Sequence, residues 1–259
     1  MLKGLAGRSV LVTGGTGGIG AAMCRRMSAE GARVVVADLD GDAAQQLASS
    51  LPGGAVGVAA DVTTAEGARR GVQAAIDAFG RLDLAHVNAG VESEVRAVAQ
   101  FDPVDFQKVF AVNVLGAFLT AQAAVTAMTA DGRGGGILFT ASVAALEGTA
   151  GVSVYSSSKH AVLGLARCLA KEVAGQGIRV NTLCPGPVDT RMMRALEVGL
   201  GDMAGLDAAG FKHQLEQAVP LGRYATPEEI AATAAWLLSD EVPYAHGEVY
   251  TVAGGLAPG

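Results

Sequence analysis

Near its N-terminus the chain reads Ser9-Val10-Leu11-Val12-Thr13, then at once Gly14-Gly15-Thr16-Gly17-Gly18-Ile19-Gly20 and an alanine-rich amphipathic stretch. The apolar run is a short buried strand and the stretch after it a helix, so the glycines are confined to one strand-to-helix turn. Glycine admits positive φ and lets backbone N–H groups approach a ligand, and the positive end of the following helix favours an anion. Two glycine spacings fit the segment: Gly15, Gly17 and Gly20 in one, Gly14, Gly18 and Gly20 in the other. Both predict a pyrophosphate seated on the loop, with Thr16 and Ile19 among the residues against it.

The next strand, Arg33-Val34-Val35-Val36-Ala37-Asp38, closes on an acid eighteen residues past Gly20. A carboxylate there can hydrogen-bond both hydroxyls of an adenosine ribose and repels a 2′-phosphate. No Arg or Lys lies between Gly14 and Gly20, and Leu39 stands where a basic residue could grip a phosphate. The coenzyme predicted is therefore NAD rather than NADP.

Strand and helix alternate along the rest of the chain. Strands are expected near 9–13, 33–38, 55–60, 82–88, 136–141, 178–184 and 248–252, and helices near 18–29, 41–50, 65–79, 103–130, 154–174 and 227–239. This pattern predicts an α/β, doubly wound (Rossmann-type) three-layer fold with a seven-stranded parallel sheet. Its 259 residues suffice for one full core, so residues 1–259 are read as a single domain. Aromatics make up only 5%, which leaves the core to Ala, Val and Leu. Thr226-Pro227-Glu228-Glu229 reads as a capping box with Pro at the first helical position. Glycines 199, 201, 205 and 210 interrupt helical patterns rich in Met and Leu, which predicts a substrate lid with glycine hinges at about 187–220. The lid's composition suggests an apolar or alicyclic ligand, and Arg191, Arg194 and Lys212 are assigned to its solvated face.

Chemistry enters with Ser142, Tyr155 thirteen residues on, and Lys159 four beyond the tyrosine. Residues four apart share a helix face, which puts the ammonium beside the phenol. A phenol with a pKa of about 10 is a poor base near neutrality, and nearby positive charge favours its anion. Lys159, helped by an oxidised nicotinamide, is expected to move Tyr155 toward the range useful to a general acid or base.

With these residues the chain resembles the single-domain short-chain dehydrogenase/reductases over nearly its whole length. Thr13-Gly14 with Gly18-Ile19-Gly20 is similar to that family's cofactor loop, and Asn88-Ala89-Gly90 to its motif after the fourth strand. Asn113, Ser142, Tyr155 and Lys159 are similar to its catalytic tetrad, and Asp61-Val62 to the pair near the adenine ring. Pro185-Gly186, continuing through Val188 to Thr190, resembles the segment over the nicotinamide carboxamide. Val87 departs from the Asn usual before Asn-Ala-Gly. The resemblance implies hydride exchange between a secondary alcohol and NAD, with Tyr155 taking the hydroxyl proton, Ser142 bonding the same oxygen and Lys159 binding the nicotinamide ribose. Asn113 would hold a water linking Lys159 to solvent. Two other readings stay open: a 3-oxoacyl-thioester (acyl carrier protein) reductase using NADPH, and a non-catalytic dinucleotide sensor.

The formal net charge of -6, with no basic run, argues against nucleic acid or an anionic membrane as partner. Cys24, Cys168 and Cys184, like His86, His160, His213 and His246, show no metal spacing, and the cysteines read as core filler in a reducing compartment. Neither a secretory segment nor a bilayer-spanning apolar run is expected, so the protein is placed in the cytoplasm. The helix near 154–174 is apolar or small nearly all round, and the resemblance implies a homotetramer that pairs it and the helix near 103–130 across two-fold axes.

Overall fold

The computed structural model describes residues 1–256, so the last three residues of the single-domain span 1–259 lie outside the described residues. In chain order the sheet holds β1 (Ser9–Thr13), β2 (Arg33–Asp38), β3 (Val56–Ala59), β4 (Leu84–Val87), β5 (Gly135–Thr140), β6 (Ile178–Pro185) and β7 (Val249–Val252). The helices are α1 (Gly18–Ala29), α2 (Gly41–Ser50), α3 (Ala65–Phe79), α4 (Pro103–Phe110), α5 (Gly116–Asp131), α6 (Ser153–Val173), α7 (Arg191–Ala204), α8 (Ala208–Ala218) and α9 (Pro227–Leu238). All seven strands are parallel, in the order β3-β2-β1-β4-β5-β6-β7.

Successive side chains of a strand face opposite sides, and here both sides are covered. Leu11 of β1 joins the layer shared with α3, α5 and α6, whereas Val10 and Val12 join the layer with α1, α2 and α9. The chain leaves β1 toward β2 and β3, then returns to lay β4 on the other flank of β1. The loops after β1 and β4 therefore diverge side by side, which opens a crevice at the carboxyl end of the sheet.

Three sequence expectations are corrected. The single helix near 103–130 is interrupted by a π-helical turn, Ala111–Leu115, that separates α4 from α5. Such turns re-aim side chains within a helix, and this one carries Asn113. Together Pro103–Asp131 is also long and apolar enough to cross a membrane by length and composition alone, contrary to expectation. In the fold its inner side packs on α3, β4 and α6, which accounts for part of that apolarity. The third correction concerns two of the four lid glycines. Gly199 and Gly201 sit inside α7, where a Cβ would fall 2.6 Å from the Val95 Cβ and 2.9 Å from the Leu206 carbonyl oxygen, respectively. Close packing, rather than hinging, requires them small.

Candidate active site

Thr13, at the end of β1, ties the crevice together. Its hydroxyl accepts from the N–H groups of Asn88 (3.0 Å) and Ala89 (3.2 Å), and its carbonyl accepts from the Asn88 amide at 3.0 Å. The two loops approach so closely that a Cβ on Gly14 would stand 2.9 Å from the Ala89 Cα, and Gly14 adopts φ +62°. At the start of α1 a Cβ on Gly20 would lie 2.0 Å from the Gly14 carbonyl oxygen. Gly17 caps α1 without any side-chain hydrogen bond, whereas α2, α3, α4, α7, α8 and α9 are each capped by an Asp or Thr side chain. The first N–H groups of α1 thus face a cradle of backbone, which suits a pyrophosphate.

Asp38 closes β2 beside this loop. One carboxylate oxygen accepts from the Thr16 N–H at 2.9 Å and the Thr16 hydroxyl at 2.7 Å, so the acid is oriented without a counter-cation among the described residues. Leu39 next to it is exposed. Farther along the rim, exposed Asp61 turns its carboxylate onto the Thr63 N–H and hydroxyl, with Val62 buried behind it. On the opposite side Gly186 donates its N–H to the Val252 carbonyl, Val188 bridges Ala225, and Thr190 caps α7. A Cβ on Gly18 would touch the Thr190 methyl at 2.7 Å, so the phosphate loop and the Pro185–Thr190 segment meet across the crevice. The dinucleotide-binding residues read from sequence therefore lie along one rim, in an arrangement that fits the group.

At the crevice's inner end β5 and α6 supply the reactive groups. Ser142 follows β5 and anchors its hydroxyl on the Ala144 N–H at 3.1 Å. Tyr155, in the first turn of α6, is 8% exposed, and burial pushes its phenol up to about 12. A hydrogen bond with Ser142 pulls the other way, while the Glu92 carboxylate adds to the rise. The phenol is therefore raised where the sequence predicts a lowering by Lys159, because removing the phenolate from water is the largest effect. Lys159 is 4% exposed, donates to the Thr140 carbonyl at 3.1 Å, and lies 5.7 Å from the centre of the Tyr155 ring. Burial brings its ammonium down to about 8.

Asn113 is fully engaged. Its amide oxygen accepts from the Val91 N–H at 2.8 Å, while its nitrogen donates to the Val91 carbonyl and the Ser158 hydroxyl, both at 3.0 Å. The side chain is thus a clamp on the loop after β4. Gly90 sits under that clamp, where a Cβ would be 3.2 Å from the Lys159 nitrogen. Ser158, read from sequence as a helix spacer, passes the bond on to the Tyr155 carbonyl at 2.7 Å. Thr140 and His86 were also missed: the His86 ring nitrogen bonds the Thr140 hydroxyl at 2.7 Å behind the carbonyl that holds Lys159. No spacing rule marks these partners, since each lies on a different element.

A family model described as Enoyl-(Acyl carrier protein) reductase matches residues 14–257. The chain is 35% identical over 256 residues to the 2,5-dichloro-2,5-cyclohexadiene-1,4-diol dehydrogenase of Sphingobium indicum, covering 98% of this chain and 99% of that one. Among solved structures, a short-chain type dehydrogenase/reductase from Mycobacterium marinum superposes with TM-score 0.88 at 34% identity, over 97% of this chain and 96% of that one. Levodione reductase superposes with TM-score 0.91 at 31% identity, over 96% and 97%. With these matches running over nearly its full length, the chain belongs to the short-chain dehydrogenase/reductases, oxidoreductases that bind a nicotinamide dinucleotide.

Proposed function

We propose that the protein interconverts a secondary alcohol and a ketone with NAD(H) as coenzyme. The observation that carries this reading is the buried Tyr155 phenol, set between the Ser142 hydroxyl and the Lys159 ammonium at the inner end of a dinucleotide cradle. When bound, the dinucleotide supplies the hydride acceptor and, in its oxidised form, a positive charge near the phenol. Gly14, Thr16, Gly18, Ile19 and Gly20 would hold the pyrophosphate, Asp38 and Leu39 flank the adenosine ribose, and Asp61 and Val62 border the adenine. Asn88, Ala89, Gly90, Pro185, Gly186, Val188 and Thr190 line the nicotinamide half.

Tyr155 takes the hydroxyl proton as the adjacent C–H bond breaks, and returns it in the reverse direction. Ser142 hydrogen-bonds the same substrate oxygen and fixes its position. Lys159 stabilises the phenolate electrostatically and would bind the ribose hydroxyls of the nicotinamide half. Asn113 holds Val91 and hence Gly90 against the ammonium, and would hold a water linking Lys159 to solvent. The segment from about 187 to 220 closes over the substrate as a lid. A carboxylate without a counter-cation at Asp38 supports NAD over NADP, because a 2′-phosphate would meet its charge.

Aromatic faces of α4 and α5 support a homotetramer. Phe106 and Phe110 stack with centroids 4.2 Å apart, and Phe106, Leu115 and Phe118 remain exposed. The protein is read as cytoplasmic on its sequence.

The test is NADH formation across a panel of cyclic alcohols, diols, hydroxysteroids and 3-hydroxyacyl thioesters. Turnover of ring alcohols or diols with NAD is the expected result; turnover of thioesters alone, with NADPH preferred, would transfer the reading to a carrier-protein reductase, which the description of the matching family model keeps in view. Dinucleotide binding without turnover of anything in the panel would leave only a sensor.

A further inference from the structure

The two arginines in the first turn of α7, Arg191 and Arg194, are already matched by carboxylates. Val91 is pinned by Asn113 at both its N–H and its carbonyl, and the next residue, Glu92, reaches across the opening to Arg191, the first residue of α7. The pair is two-pronged, Nη1 to Oε1 at 3.0 Å and Nη2 to Oε2 at 3.4 Å. Its members are unequally placed: the Arg191 side chain is 78% exposed and that of Glu92 only 18%. The guanidinium therefore sits in solvent, where water screens it, while the carboxylate is the inward charge. Arg194, one turn along α7, bonds Asp189, and the Lys159 ammonium is buried behind them on the Thr140 carbonyl. Among the described residues Glu92 is also the one carboxylate whose charge bears on the Tyr155 phenol.

Resting on the alcohol-dehydrogenase reading above, we propose that Glu92 is a specificity-determining residue, a charge filter that admits neutral alcohols and rejects those carrying a carboxylate or phosphate. An anion entering beneath α7 meets a mostly buried like charge, and among the described residues the arginines of α7 are already paired. A neutral ring alcohol or diol incurs no such penalty. Like charges opposed across a binding surface cost enough to lower affinity roughly tenfold or more.

The test uses two probes of one shape and different charge, 3-hydroxycyclohexanecarboxamide and 3-hydroxycyclohexanecarboxylate, with the wild-type protein, Glu92→Gln and Arg191→Gln. The ratio of kcat/KM, amide over carboxylate, should be about tenfold or more in the wild type, through KM. It should shrink in Glu92→Gln and widen in Arg191→Gln, where Glu92 loses its counter-charge. If neither probe turns over, inhibition constants against an oxidised panel alcohol give the same ratio. A pair serving only to strap α7 down would depress both probes alike in both variants; an unmoved ratio, or no wild-type discrimination, overturns the proposal. Because every comparison is a ratio within an enzyme that oxidises a panel alcohol, that failure leaves the alcohol reading standing. Absence of any alcohol turnover sinks both together.

Discussion

The Lys159 ammonium lies 5.7 Å from the centre of the Tyr155 ring, one helical turn away, and the Thr140 carbonyl holds it there at 3.1 Å. Burial displaces the two groups in opposite directions, the phenol up to about 12 and the ammonium down to about 8. Each is pushed toward its neutral form, because burial strips water from the charged one.

Tyr155→Phe should lower kcat for alcohol oxidation by about a hundredfold or more while leaving dinucleotide affinity nearly unchanged. Steady-state kinetics beside a fluorescence titration with NADH separate the two effects. Wild-type oxidation should rise with pH as Tyr155 loses its proton, and Lys159→Met should move that rise to higher pH, because removing a neighbouring cation raises the phenol further.

Asp38→Ala combined with Leu39→Arg should shift the NAD/NADP ratio of kcat/KM toward NADP by at least roughly tenfold, since a repelling charge is exchanged for an attracting one. Wild-type preference for NADPH at the outset would show that the Thr16-bound carboxylate does not select the coenzyme.

Ser158→Ala strands one N–H of the buried Asn113 amide. A buried donor left without a partner costs about 1–3 kcal/mol, so thermal unfolding should come at lower temperature. The kcat should fall as well, as the Val91 loop loosens over Lys159. Unchanged stability and unchanged kcat together would remove the clamp from the account.

His86 is fully buried in β4, and desolvation lowers its pKa to about 3 from an ordinary 6.5. Between those values the unfolded chain binds a proton at this position and the folded chain does not, so stability rises with pH. The contribution is complete above 6.5 and is lost as pH falls toward about 3, at about 1.4 kcal/mol per pH unit. His86→Gln should flatten that part of the profile in denaturant unfolding between these pH values. An identical acid profile in both proteins would contradict it.

The order and kind of nearly every regular element were legible in the sequence, because strands buried on both faces must be continuous apolar runs and the helices between them must be amphipathic. The glycine loop was legible for a local reason: it joins two adjacent elements, and no distant contact is needed to recognise a turn that a Cβ would block. Where the forces are not local, reading stopped. The π-helical turn at 111–115 has helical composition on both sides, and α7 absorbs Gly199 only because Val95 packs against it from another loop.

Local order along the chain thus placed Ser142, Tyr155 and Lys159 in register and set an acid at the tip of β2. Tertiary structure alone decided what surrounds them. It brought the Thr140 carbonyl to the ammonium, Ser158 and Val91 to Asn113, and Glu92 to Arg191, pairings between residues 19 to 99 positions apart. It also set the depth of burial that raises the phenol instead of lowering it. Hydrogen bonds and desolvation act through space at a few ångströms, and which distant residues come within that reach is fixed only when the sheet closes and the helices pack.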